Sequence, residues 1–202
     1  MYITQIVIDC MDRHAMRTLS DIYRLHQLVM TGFMQYDEPS RVLFRVEPEV
    51  RETFVRLLIQ SHLKPSWEQT DQWQRSIIAV QIKEFSPQFR KGTQFRFRLR
   101  ANPVVKKNGK RQGLIRDEVI VEWLKSKEER IGATFPSVLS IDEGYVTGNK
   151  KVGEKIDRVN IKTVRYEGSL KVTDANKFHE AFTKCIGPAK AFGCGLISLA
   201  RM

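Results

Sequence analysis

Between residues 2 and 85 the apolar residues change period from two to 3.6 and back, and the order of those changes admits few folds. Residues 2–8 alternate like a strand, with Ile3 and Val7 on one face and Ile6 and Ile8 on the other. A strand apolar on both faces belongs in the middle of a sheet. A helix is predicted from about Ser20, which with Asp21 supplies an N-cap and an acidic first turn, and Ile22, Leu25, Val29 and Phe33 recur at helical spacing. RVLFRVE (41–47) reads as a strand with Val42, Phe44 and Val46 inward, and FVRLLIQS (54–61) as another. Trp67 to Trp73 is predicted as a short helix, and SIIAVQIKEF (76–85) returns as a strand. The resulting order, β-α-β-β-α-β, is the ferredoxin-like motif.

SPQFRKG follows, with Pro87 and Gly92 bracketing a polar stretch, so residues 87–91 are expected to be a linker. The order then begins again. TQFRFRLRA (93–101) is a predicted strand, Arg116–Arg130 a helix, and 155–172 strand material. Asp174 caps a helix whose Phe178, Ala181, Phe182, Cys185 and Ile186 form a stripe, and GLISLA (195–200) closes as a strand. The expectation is an α+β chain with tandem ferredoxin-like (RRM-like) domains, 1–86 and 92–202. The halves share an order of elements but no visible sequence repeat.

No segment approaches 18 uninterrupted apolar residues, which excludes a membrane-spanning helix. MYITQIVIDC has neither a basic leader region nor a small-residue cleavage site, so it does not read as a secretory signal. Three cysteines (Cys10, Cys185, Cys194) with no CxxC pair argue for a reducing compartment, hence a cytoplasmic protein, and against a disulfide framework or zinc cluster. His14, His26, His62 and His179 lack ligand spacing, and no metal is expected. The net charge of +11 implies a polyanionic partner, because clustered Lys and Arg attract phosphate and release its counterions.

The densest basic signal is FRFRLR (95–100). With a period of two, Phe95, Phe97 and Leu99 face one side, and Arg96, Arg98 and Arg100 face the other. Successive guanidiniums are then about 7 Å apart and would repel one another without an anion, and Arg suits bidentate phosphate contacts. A solvated outer strand face usually mixes signs; this one does not. Next, Asn108-Gly109 is a hairpin-turn signal flanked by Lys106, Lys107, Lys110 and Arg111, which gives a basic finger. Lys150 and Lys151 make a third, weaker patch. Near the end, IGPAKAFGCGLISL (186–199) places Gly187 as a left-handed residue closing the preceding helix, ahead of Pro188. Gly193 and Gly195 permit close backbone approach, Lys190 adds charge, and the loop as a whole resembles an anion nest.

Tyr23 and His26 are an i, i+3 pair and point the same way on their helix. From the residues alone His26 either fills a helix face or moves a proton.

These pieces together resemble a known family, the CRISPR-associated repeat endoribonucleases of the CasE type in the type I-E Cascade system. The resemblance rests on the N-terminal strand, the Tyr23-x-x-His26 helix, FRLRANP (97–103), YEGSLKVTD (166–174) and GPAKAFGCGLISL (187–199). It implies two ferredoxin-like domains that bind the stem-loop of CRISPR repeat RNA in precursor and mature crRNA. It also implies metal-free cleavage at the 3′ base of the hairpin with no cofactor, and a protein that is monomeric outside its complex with the other Cascade subunits. By the same resemblance His26 is catalytic. Tyr23 then contacts the scissile phosphate or orients His26, and Lys150 or Lys151 stabilises the phosphorane. Two other readings remain open: a non-catalytic RNA-hairpin-binding module on the same fold, and a DNA-binding regulator. The latter is disfavoured by strand-borne arginines and the lack of a helix-turn-helix.

Overall fold

The computed structural model describes residues 1–38, 41–47, 53–67, 76–107, 109–152 and 155–202. The chain divides into two compact units. Unit 1 comprises residues 1–86, 146–160 and 191–193; unit 2 comprises 87–145, 161–190 and 194–202.

In unit 1, β1 (Tyr2–Asp9) leads through two short helices, α1 (Arg13–Leu19) and α2 (Ile22–Thr31), to β2 (Val42–Val46), β3 (Phe54–Ser61) and β4 (Ile77–Glu84). The sheet order is β2-β3-β1-β4, with antiparallel neighbours throughout. This is the ferredoxin-like arrangement, with the first strand central as its apolar faces required. One sheet face and the α2 stripe close a core of Ile6, Ile8, Leu25, Val29, Phe44, Leu57 and Ile59. Val146, Val159 and Phe192 pack against it from the distant segments of the unit. Gly32, just past α2, lies against the buried Trp67: a Cβ there would sit 2.3 Å from the indole, whose Nε1 donates to the Leu28 carbonyl at 3.3 Å. The helix expected from Trp67 to Trp73 falls mostly on 68–75, outside the described residues.

Unit 2 repeats the plan. It runs β5 (Gln94–Ala101), a hairpin of β6 (Val104–Lys107) and β7 (Lys110–Gly113), helices α3 (Asp117–Lys125) and α4 (Glu128–Ile131), then β8 (Ala133–Val152) and β9 (Lys155–Val172). Helix α5 (Ala175–Lys184), a 3₁₀ turn (Lys190–Phe192) and β10 (Ile197–Arg201) complete the chain. The sheet order β10-β5-β9-β8 places last, first, third and second strands as in unit 1, so the tandem ferredoxin-like architecture is borne out. The single helix predicted over 116–130 is in fact two. Ser126 ends α3, and α4 ends one turn later at Gly132, whose φ of +74° is left-handed.

The stretch 87–91 belongs to unit 2, where Phe89 meets the rings of Phe178 (4.7 Å), Phe182 (5.3 Å) and Phe95 (6.1 Å). Among the described residues no helix is long and apolar enough to cross a membrane.

Candidate functional site

Asp21, one residue past the expected start at Ser20, is the N-cap of α2: its Oδ1 accepts the backbone N–H of Tyr23 at 2.9 Å and of Arg24 at 3.1 Å. With Leu25, Leu28 and Val29 buried, the helical period turns Tyr23 and His26 to the rim of the core, where both are half-buried. The imidazole lies nearly parallel to the Phe44 ring, centroids 6.5 Å apart. This partial burial pushes the His26 pKa below its ordinary value, because the imidazolium loses hydration next to an aromatic wall. The side chain is therefore neutral at pH 7 and able to accept a proton.

The second component arrives from residues more than a hundred positions away. The far end of the β8–β9 pair clusters with unit 1, and its Gly148 lies directly on the start of α2. A Cβ at Gly148 would stand 2.8 Å from both Asp21 Oδ1 and the Tyr23 nitrogen. The next residue, Asn149, donates its backbone N–H to Asp21 Oδ2 at 3.2 Å. Lys150 follows, exposed; Lys151 continues the strand, and its side chain lies outside the described residues. Tyr23, His26 and the lysine pair therefore belong to elements that touch. Asp21, Gly148 and Asn149 were not singled out from the sequence as site residues. The signal present was a lone glycine before the basic pair in TGNKK.

The arginine row of β5 differs from the expectation of three uncompensated charges. Arg96 is exposed, but Arg98 Nε donates to Glu167 Oε1 at 2.8 Å and Arg100 Nε to Glu143 Oε2 at 2.6 Å. Arg165 lies within 3.4 Å of Glu143 and 3.5 Å of Glu167. Glu167 is the direct cross-strand partner of Arg98, the position at which opposite charges attract most strongly in an antiparallel pair. Three guanidiniums, those of Arg98, Arg100 and Arg165, thus share two carboxylates. The face stays cationic, but self-repulsion is relieved by acids on neighbouring strands and does not require an anion.

The basic finger is present as the β6–β7 hairpin, with Lys107 opposite Lys110 and Gly109 at φ +76°. Lys107 is exposed; the side chains of Lys106, Lys110 and Arg111, and all of Asn108, lie outside the described residues. In the glycine loop two readings change. The left-handed residue directly after α5 is Cys185 (φ +109°), not Gly187. Gly187 (φ +88°) instead sits under Trp123, whose ring a Cβ would meet at 2.9 Å. Gly195 faces Cys185 and donates its N–H to the Arg100 carbonyl at 2.7 Å, so that amide is committed to the fold rather than to an anion. Lys190 is exposed and Gly193 is buried. Of the remaining histidines, His14 and His62 are exposed, and His179 faces the Phe89 ring at 6.2 Å.

The sequence model of a family described as "CRISPR associated protein" matches residues 1–201. The chain belongs to that family. Members similar to it include the CRISPR-associated endoribonuclease Cse3 of Thermus thermophilus, 29% identical over 99% of this chain and all of the relative. The CRISPR system Cascade subunit CasE of Escherichia coli is 30% identical over 99% of each chain. Among solved structures, Cse3 bound to a 19-nucleotide RNA superimposes with a TM-score of 0.86 at 29% identity, over 99% of this chain and all of the other. Thermus thermophilus Cse3 bound to an RNA representing a pre-cleavage complex gives 0.82 at 27% identity, over 98% of each chain. The CasE-type resemblance carried by those motifs is therefore borne out.

Proposed function

We propose that this protein is a repeat-specific endoribonuclease. In this reading it binds the stem-loop of CRISPR repeat RNA, cuts the precursor at the 3′ base of the hairpin, and keeps the product as a Cascade subunit. The observation that carries the reading is the similarity, over 98% of both chains, to a Cse3 structure described as a pre-cleavage RNA complex. It is joined by a neutral histidine beside a tyrosine on the rim of unit 1.

The reaction needs no outside nucleophile. The 2′-oxygen attacks the adjacent phosphorus, the P–O5′ bond breaks, and the products are a 2′,3′-cyclic phosphate and a 5′-hydroxyl. One proton must leave the 2′-OH and one must reach O5′. His26, neutral because it is partly buried, takes the 2′-OH proton, and solvent water protonates O5′ as the P–O5′ bond breaks. Tyr23, on the same helix face, holds a phosphate oxygen by its hydroxyl or fixes the imidazole. Lys150 or Lys151 supplies positive charge for the phosphorane, where an oriented cation is most effective. Arg96 and Arg98, together with Lys106, Lys107, Lys110, Arg111 and Lys190, provide the phosphate-binding surface for the stem, while Arg100, buried and paired with Glu143, supports the strand behind them.

The test is single-turnover cleavage of an end-labelled repeat hairpin in EDTA, wild type beside His26→Ala. A substrate with 2′-deoxyribose before the cut runs in parallel. Wild type should cut, whereas the variant should bind normally and cut about 10²- to 10⁴-fold more slowly, the usual worth of general acid–base catalysis. The deoxy substrate should stay whole. A wild type that binds the hairpin and leaves it intact would make the protein a binding module with an incidental histidine.

A further inference from the structure

We infer that Asp21 is a positioning residue for cleavage, a clasp whose single carboxylate sets the relation between the two halves of the site. The inference rests on the nuclease reading above and adds a part to it. One lobe of the carboxylate caps α2, accepting from Tyr23 N (2.9 Å) and Arg24 N (3.1 Å). The other accepts from Asn149 N (3.2 Å), 128 residues away. The carboxylate itself is largely covered, with 14% of its side chain exposed, while the Arg24 and Asn149 amides that it accepts from lie at the solvent edge. Gly148 makes the geometry possible. Its Cα comes so close to α2 that any side chain would strike Asp21 Oδ1, Tyr23 N and, at 3.1 Å, Ile22 Cγ2.

An ordinary helix cap needs only one acceptor lobe, and Ser, Asn or Asp serve about equally. The second lobe does something no cap requires: it fixes the backbone just before Lys150 and Lys151 onto the helix that carries Tyr23 and His26. A flexible lysine loses force when the strand beneath it can drift, since a misplacement of about 1 Å costs about 10²-fold in rate.

Two substitutions isolate this role. Asp21→Asn keeps a cap of similar strength but turns an NH₂ donor toward the Asn149 N–H, so one of the two functions must be given up. Gly148→Ala keeps the carboxylate's chemistry but drives a methyl against Asp21 Oδ1 and the α2 backbone, pushing the strand off the helix. Both variants should cleave about 10- to 100-fold more slowly in single turnover, while their hairpin Kd stays within about 2-fold of wild type, since no cation is lost. A merely structural role would not predict the next result: in a Lys150→Ala/Lys151→Ala background, Asp21→Asn should slow cleavage no further, because the parts it aligns are gone. Wild-type cleavage rates in both single variants would overturn the clasp, and so would fully additive losses in the lysine-free background. Hydrogen exchange of the Asn149 amide provides a reading independent of RNA. Protection should fall in Asp21→Asn, and unchanged protection would also overturn the clasp. If wild type failed to cut while Asn149 lost protection in the variant, the nuclease reading would fall and the contact would stand.

Discussion

Replacing Arg96 and Arg100 one at a time with Gln should produce opposite signatures, although the two residues sit on one face of one strand. Arg96 is exposed, whereas Arg100 is 9% exposed and donates to Glu143. A guanidinium that holds a stem phosphate displaces a condensed cation. Loss of one such contact lowers the slope of log affinity against log salt by about 0.9 on a duplex. Between about 50 and about 200 mM salt that amounts to an affinity change of about 3.5-fold that Arg96→Gln no longer shows. Arg100→Gln removes no free charge from the surface and leaves the slope intact, but it deprives Glu143 of its nearest partner. Breaking a buried pair costs about 3–5 kcal/mol. Here Glu143 is 22% exposed and keeps Arg165 at 3.4 Å, so about 2 kcal/mol is the expected loss. In a chain of this size that lowers Tm by about 4–8 °C. Fluorescence anisotropy of a labelled hairpin across a salt series, beside thermal unfolding of the free proteins, reads both effects. An unaltered slope for Arg96→Gln, or a flattened slope with unaltered Tm for Arg100→Gln, would refute the division of labour.

Three further outcomes follow from named contacts. Because burial lowers the folded pKa of His26, the unfolded chain binds that proton more readily. Stability should therefore fall as pH drops from about 6.5 toward the folded value. His26→Gln should remove that part of the slope, read as urea midpoints at mildly acidic and neutral pH. Gly168→Ala should lower Tm by at least about 4 °C: with φ at +153° a Cβ would sit 2.0 Å from the Ser137 carbonyl oxygen, a backbone atom that cannot rotate away. Phe89→Ala should cost about 2–4 kcal/mol in denaturant titration, since it removes the ring that joins Phe95, Phe178 and Phe182; a loss below about 1 kcal/mol would mean the cluster collapses without it.

What could be read in advance was what sits close in sequence. The Ser20-Asp21 helix start (capped by Asp21), the Asp174 cap, the alternation of β1 and β5, and the Asn-Gly turn are local signals, and each corresponds to an element in the structure. Helix α1 escaped because RHAMRTL buries only Ala15 and Thr18, too few for a stripe. The break between α3 and α4 escaped because the pattern continues past Ser126, and only the left-handed Gly132 reveals a second, one-turn helix. The acids that balance the arginine row are 43 residues (Glu143) and 69 residues (Glu167) from their partners. No window along the chain shows them opposite one another until the strand order is known. The same holds for Gly148: its closeness to Tyr23 is a fact of tertiary structure, and sequence offers only a glycine in a polar turn. His26 was legible as a candidate by its neighbour at i−3, but the burial that depresses its pKa is set by tertiary structure that no local window shows.

The composition of unit 1 also bears on how the protein is made. Its core is closed in part by Val146, Val159 and Phe192, so the apolar surface of the first 86 residues waits for side chains translated much later. These side chains belong to segments 146–160 and 191–193, which are translated well after residue 86. The usual order, in which an N-terminal domain finishes folding while the rest is still being built, is unavailable to this chain. Its first half must persist on the ribosome with an incomplete core, and premature termination anywhere before Phe192 yields a product with neither unit finished.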